Sequence, residues 1–179
     1  MLKLKPIDYA IIAELTRNSR LTDSQLAKML KTSPPTITRR RTELEKHGLL
    51  DYTAVPNMEK LGYQIVAFIF GNWHREKFPD TRVEEIKKFI SRTPNIVYIS
   101  TGSGMGYDRM AIAFFKDYSE YSRIMREFRN SWGQYFSNLS AFLVSLQRDN
   151  ILRNFTFKPL MENMKMENAI EQPRKNASS

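Results

Sequence analysis

Along the first sixty residues, apolar positions recur at helical spacing and are broken by short polar signals. Ile7, Ile11, Ile12 and Leu15 follow Pro6, whose missing N–H costs nothing in a first helical turn. Thr22-Asp23-Ser24-Gln25 has the form of a capping box ahead of Leu26, Met29 and Leu30. Ser33-Pro34-Pro35 stops that short helix and starts a third. Ile37 and Leu44 mark the inner face of the third helix, and Gly48 is placed to end it as a left-handed cap. Leu49 to Val55 is expected as a wing-like hairpin or a connecting strand.

From Leu61 the spacing turns strand-like. Tyr63 to Phe70 is rich in branched and aromatic residues, and Ile96 to Ser100, Met110 to Phe115 and Ala141 to Leu146 continue the pattern. Val83 to Ile90, with a start signal at Pro79-Asp80-Thr81, and Tyr118 to Trp132 read as helices. The order strand, helix, strand, strand, helix, strand predicts a ferredoxin-like sandwich, with two helices on one sheet face and the other face available for self-association. A short strand is expected over 154–160. The fold class is therefore α+β: a winged helix-turn-helix domain over 1–52, a linker strand and hinge over 53–62, a ferredoxin-like domain with a face open to oligomerisation over 63–160, and a mobile tail over 161–179.

Composition narrows the chemistry. The 179 residues include no cysteine and two histidines, His47 and His74, which excludes disulfide scaffolds, thiol catalysis and cysteine-based metal sites. The histidines are far apart in sequence and suggest neither a metal cluster nor an acid/base pair, so no catalytic residue, metal or cofactor is assigned and the chain is not expected to be an enzyme. No apolar run is long enough to span a bilayer and the N-terminus lacks a secretory pattern, so a cytoplasmic location and no membrane partner are expected. The 28 basic and 19 acidic side chains give a net charge of +9, spread along the chain, which favours a polyanion as partner.

Local clustering points to double-stranded DNA. A short capped helix, a tight turn and a third helix form the arrangement that docks a recognition helix in the major groove. Lys31 lies at the turn, Ser33 and the following N–H groups lie at a helix N-terminus, and Arg39-Arg40-Arg41 line the third helix. Thr36 with Arg39 or Arg40 are the candidate base readers. With Thr38 and Arg41, the candidate contact set is Lys31, Ser33, Thr36, Thr38, Arg39, Arg40 and Arg41.

Asp8, Leu15, Arg20, Leu26-Ala27, Ser33 to Arg40, Leu44-Glu45 and Gly48-Leu49-Leu50 together resemble the DNA-binding half of the feast/famine, or leucine-responsive (Lrp/AsnC), transcriptional regulators. The likeness extends through Ile96-Val97-Tyr98 and Gly102 to Asp108, and covers approximately residues 6–160. It implies a sequence-specific DNA-binding transcriptional regulator whose ferredoxin-like domain forms a homodimer or higher homo-oligomer. Two positions depart from the family: Arg41 stands where an apolar core residue is usual, and the tail beyond Leu160 is longer than the family requires. Arg41 then either rotates the helix, packs its stem inward or places its head group on DNA.

Gly102, Gly104 and Gly106 lie between strands, so the strand-to-helix context of a dinucleotide fingerprint is missing. One reading is a hairpin that uses glycine freedom. The family resemblance implies instead an amino-acid effector near this turn, carried here by Ser100, Thr101, Gly104, Gly106, Tyr107 and Asp108. An aspartate suits an ammonium and turn N–H groups suit a carboxylate. The rival functions are a low-specificity architectural DNA-binding protein and a small-molecule-binding or enzymatic ferredoxin-like protein.

Overall fold

A computed structural model describes residues 2–77, 82–147 and 150–162. The start signal at 79–81 and the tail from 163 lie outside the described residues. The chain divides into two compact units: residues to Val55 together with those from Asn154, and Pro56–Arg153.

The first unit holds α1 (Pro6–Arg17), α2 (Asp23–Met29) and α3 (Pro34–Lys46). Each end is closed by the chemistry of its own residues. The Lys5 N–H donates to Asp8 Oδ2 at 2.6 Å, and Thr22 and Gln25 cap each other's N–H groups at 2.8 and 3.2 Å. Gly48, at φ +66°, ends α3 in a Schellman motif, with Leu49 N–H donating to the Leu44 carbonyl and Gly48 N–H to the Glu45 carbonyl, both at 2.9 Å. Ile11, Leu15, Leu26, Ala27, Ile37 and Leu44 form the core between the three helices.

Two expected segments do not form strands. Residues 50–57 are irregular, neither hairpin nor connecting strand, because Pro56 interrupts so short a stretch and Tyr52 is held by side chains of α3. Residues 154–160 are not a strand either. Local turns consume their backbone groups, with Leu160 N–H donating to the Phe157 carbonyl and Met161 N–H to the Lys158 carbonyl, and Met161 is buried.

The second unit runs β1 (Ile65–Trp73), α4 (Val83–Ser91), β2 (Ile96–Gly104), β3 (Tyr107–Phe115), α5 (Tyr118–Trp132) and β4 (Phe136–Ser145). The sheet order is β2-β3-β1-β4, antiparallel throughout. Alternation sends Ile65, Ala67, Ile69, Ala113 and Phe115 toward the helices, where they meet Tyr121 and Ile124. The opposite face carries Phe68 between Ile112 and Phe142, and Phe70 between Met110 and Ser140. Among the described residues, no helix of the second unit packs on that face. Phe142 is 66% exposed and Tyr98, beside Ile112, is 51% exposed.

β4 begins earlier than its apolar run suggests, since a 3-10 turn at Gly133–Tyr135 delivers α5 directly into Phe136. A bulge follows: the register shifts between Phe70 and Asn72, and Asn138 takes φ +53°. Gly71 permits the close approach, since a Cβ there would lie 3.2 Å from both Leu139 and Phe136 side-chain carbons.

Candidate nucleic-acid interface

Three consecutive arginines on α3 meet three environments, because each residue turns the helix surface by about 100°. Arg40 points inward. Its Nε donates to Asp8 Oδ1 at 2.6 Å and its Nη2 to Asp8 Oδ2, a two-pronged pair with Asp8 fully buried and Arg40 8% exposed. This hydrogen bonding holds the Arg40 guanidinium above its ordinary pKa. Arg40 thus joins α3 to α1 and is not presented to a groove. A buried aspartate needs a cation, and Arg40 supplies it across 32 positions of sequence.

Arg41 turns sideways. Its Nη1 donates to the Leu21 carbonyl at 3.3 Å and to Asp23 Oδ1 at 3.2 Å, while its Nε reaches Glu45 Oε1 and the Tyr52 hydroxyl, each at 3.0 Å. The Tyr52 hydroxyl in turn donates to Glu45 at 2.8 Å, and the guanidinium sits 5.1 Å from the Tyr52 ring centroid. A polar clasp therefore stands where the resembling family usually has an apolar residue. Thr38 shares this flank, its hydroxyl close to Asp23 Oδ2 at 2.6 Å and the Pro34 carbonyl at 3.1 Å.

Arg39 alone of the three is exposed, and it forms no hydrogen bond or ion pair among the described residues. Helical spacing puts it on one outward face with Pro35, Thr42 and Lys46, opposite Ile37 and Leu44. Thr42 and Lys46 were absent from the sequence-derived set, although their spacing of three and seven from Arg39 marks them. Ser33 caps α3 by accepting the Thr36 N–H at 3.4 Å, and the Ser33 and Thr36 hydroxyls share a hydrogen bond of 2.8 Å. Lys31 occupies the turn at φ +50° with its side chain exposed.

The glycine-rich turn is a two-residue hairpin. Gly104 pairs with Tyr107, and both central residues have positive φ, Met105 at +52° and Gly106 at +78°, as a type I′ turn requires. Gly106, Tyr107 and Asp108 come together with Asn72 and Trp73. Asn72 Nδ2 donates to the Gly106 carbonyl at 2.8 Å and its Oδ1 accepts the Asp108 N–H at 3.1 Å; Asp108 Oδ1 accepts the Trp73 N–H at 2.9 Å. Asp108 therefore fastens β3 to the bulged end of β1. Tyr107 turns to the open sheet face, where its hydroxyl meets Ser140 Oγ at 3.0 Å. Ser100 and Thr101 lie further along β2, opposite Met110 and Arg109, and the Ser100 hydroxyl donates to the Thr101 carbonyl. Gly102 and Gly104 have open space where a Cβ would stand and no positive φ, so nothing among the described residues requires glycine there. Asn72 was missed because its role depends on the bulge.

Among the described residues, no group of histidine and acidic side chains could hold a metal ion, and no helix is long and apolar enough to cross a membrane.

Residues 4–51 match the winged helix-turn-helix DNA-binding family. An uncharacterized HTH-type transcriptional regulator of Pyrococcus abyssi is 32% identical over 132 residues, covering 72% of this chain and 84% of that protein. The HTH-type transcriptional regulator LrpC of Bacillus subtilis is 33% identical over 98 residues, 54% of this chain and 65% of LrpC. The solved LrpC structure superposes with a TM-score of 0.65 at 25% identity, covering 88% of this chain and all of that one. A transcriptional regulator of Neisseria meningitidis, solved as a complex with L-Met, shares the fold at a TM-score of 0.72 and 23% identity over 87% of this chain and 96% of that one.

Proposed function

The chain belongs to the leucine-responsive family of helix-turn-helix transcriptional regulators, and from that premise we propose that it reads specific duplex sites through the outward face of α3. The observation that carries this reading is the sorting of the three arginines. Arg39 keeps its guanidinium for a ligand, whereas Arg40 and Arg41 are engaged by Asp8 and by the Asp23, Glu45 and Tyr52 clasp. Arg39 is assigned as base reader, since its planar fork matches the two acceptors of guanine in the major groove. Thr42 supplies a second contact to base edges. Lys31 and Lys46 neutralise phosphates, whereas the N-terminus of α3 has no backbone donor to spare, since positions 34 and 35 are prolines and the Thr36 N–H is held by Ser33.

Self-association builds on the open face of the sheet. Phe68, Phe70, Met110, Ile112 and Phe142 form a contiguous apolar surface across three strands, and a second copy presenting the same face would bury it symmetrically. Two reading heads then meet two half-sites of a pseudo-palindrome.

The effector is an amino acid, held near Gly106, Asp108, Asn72 and Trp73. Support comes from the polar cluster at this turn and from the L-Met complex of the Neisseria relative. Effector and operator would then alter each other's affinity by one common factor.

Fluorescence anisotropy with DNA from upstream of the coding region, against length-matched random duplex, tests the reading. Tight binding with preference for the native fragment is expected, and Arg39→Ala should cost about 1–3 kcal/mol and relax specificity at one base pair. Equal affinity for both duplexes, or an Arg39→Ala variant that binds unchanged, would reject it.

A further inference from the structure

α5 carries a basic row that neither the fold nor the proposed function uses. Arg123, Arg126 and Arg129 are spaced by three residues and are all exposed, so they rise by about 4.5 Å each along one winding strip of the helix. Of the three, Arg123 is paired with Glu127 at 3.9 Å, while Glu120 accepts the Lys116 N–H at 2.7 Å. Arg126 and Arg129 form no ion pair or hydrogen bond among the described residues.

These two arginines line a groove of about 310 Å³ with Tyr118, Tyr121, Ser122 and Asn130. Met125 closes its floor and is buried. Guanidinium, phenol, hydroxyl and amide are the side-chain donors that proteins direct at nucleic-acid phosphates. Burial raises the Tyr121 phenol above its ordinary pKa, against the opposing pull of Arg129. Charge, donor type and open shape all complement an extended phosphate chain.

We infer that the α5 groove is a second phosphate contact, occupied by the sugar–phosphate backbone of duplex DNA. The inference rests on the reading of the chain as a DNA-binding protein. It assigns Arg126 and Arg129 to affinity without sequence information, because backbone contacts carry none. Its signature is the salt dependence of binding: removing one phosphate-neutralising charge makes the slope of log K against log salt shallower by about 0.9.

The test uses the full-length chain, a duplex extending well beyond the half-sites, and a salt series by fluorescence anisotropy. Arg126→Gln/Arg129→Gln should make the slope shallower by about 1.8 per protomer engaged, with the base preference unchanged. Arg126→Lys/Arg129→Lys keeps both charges and should retain the wild-type slope. A glutamine pair with the wild-type slope, or a lysine pair without it, overturns the inference. So does a glutamine pair that binds DNA normally yet loses saturable binding of tripolyphosphate, which would assign the groove to a free anion. Failure of the wild-type chain to bind any duplex would overturn the DNA-binding reading itself, and is distinguished by that control.

Discussion

The two units solve the problem of a small core in opposite ways. The helical unit closes on itself: its apolar residues meet between three helices, and the charge buried with them is met by a charge of the same chain, Asp8 against Arg40. The sheet unit closes on one side only. Its helices cover the face of Ala67, Ala113 and Phe115, while the face of Phe68, Ile112 and Phe142 has no helix of the same unit upon it among the described residues. A domain that satisfies itself is suited to meet a foreign ligand with its polar outside, and a domain left open on an apolar face is suited to meet another copy. The proposed function accordingly gives reading to the first unit and assembly to the second.

The strongest way to break this comparison is to spoil closure of the first unit. Arg40→Ala leaves a buried carboxylate without its cation and should destabilise the unit by about 3–5 kcal/mol. Urea unfolding followed by far-ultraviolet circular dichroism measures it, and Trp73 and Trp132 fluorescence follows the second unit separately because both lie in Pro56–Arg153. The pair change Asp8→Leu/Arg40→Met should recover most of the loss, since matched apolar replacement of a buried pair is often neutral. If Arg40→Ala melts like the wild type, the ion pair does not close the unit.

Next in size is the open face. Phe142→Asp places a charge amid apolar neighbours and should weaken self-association by about 2 kcal/mol or more, read as a shift to smaller species by light scattering. Unfolding of the helical unit should not move. An unchanged assembly would assign association to another surface.

Two smaller changes sharpen the picture at the hairpin. Gly106→Ala puts a Cβ on a residue at φ +78°, with no atom within 4 Å to clash, so the expected cost of about 1 kcal/mol comes from backbone strain alone. Met105 is itself a strained choice, at φ +52° and 79% exposed. Met105→Asn should stabilise the second unit by about 0.5–1 kcal/mol, because asparagine accepts the left-handed region more readily. Thermal unfolding of both variants checks the signs, and a destabilising Met105→Asn would mean that the methionine makes contacts the turn geometry does not account for.

What the sequence determined by itself was local. Caps, proline starts and glycine stops act within four or five residues, so Thr22 with Gln25, Ser33 before Pro34 and Gly48 after Lys46 were legible as the ends they form. The branched and aromatic content of Ile65 to Phe70 and the order of elements were equally legible, since both are properties of single chain segments. The same local rules failed where a segment needed a distant partner: residues 50–57 and 154–160 have strand-like content and no strand to pair with.

What only the tertiary structure decided was which side chain faces what. Arg39, Arg40 and Arg41 are one run of like residues in sequence, and only packing against α1 and α2 assigns one to the outside, one to Asp8 and one to the Asp23 clasp. Asn72 joins Gly106 and Asp108 where a bulge at Asn138 of β4 shifts the register beside the end of β1. The reason is the same in both cases. A charge or amide finds its partner through contacts tens of residues apart, which depend on how completed elements pack, and no short window of sequence contains that information.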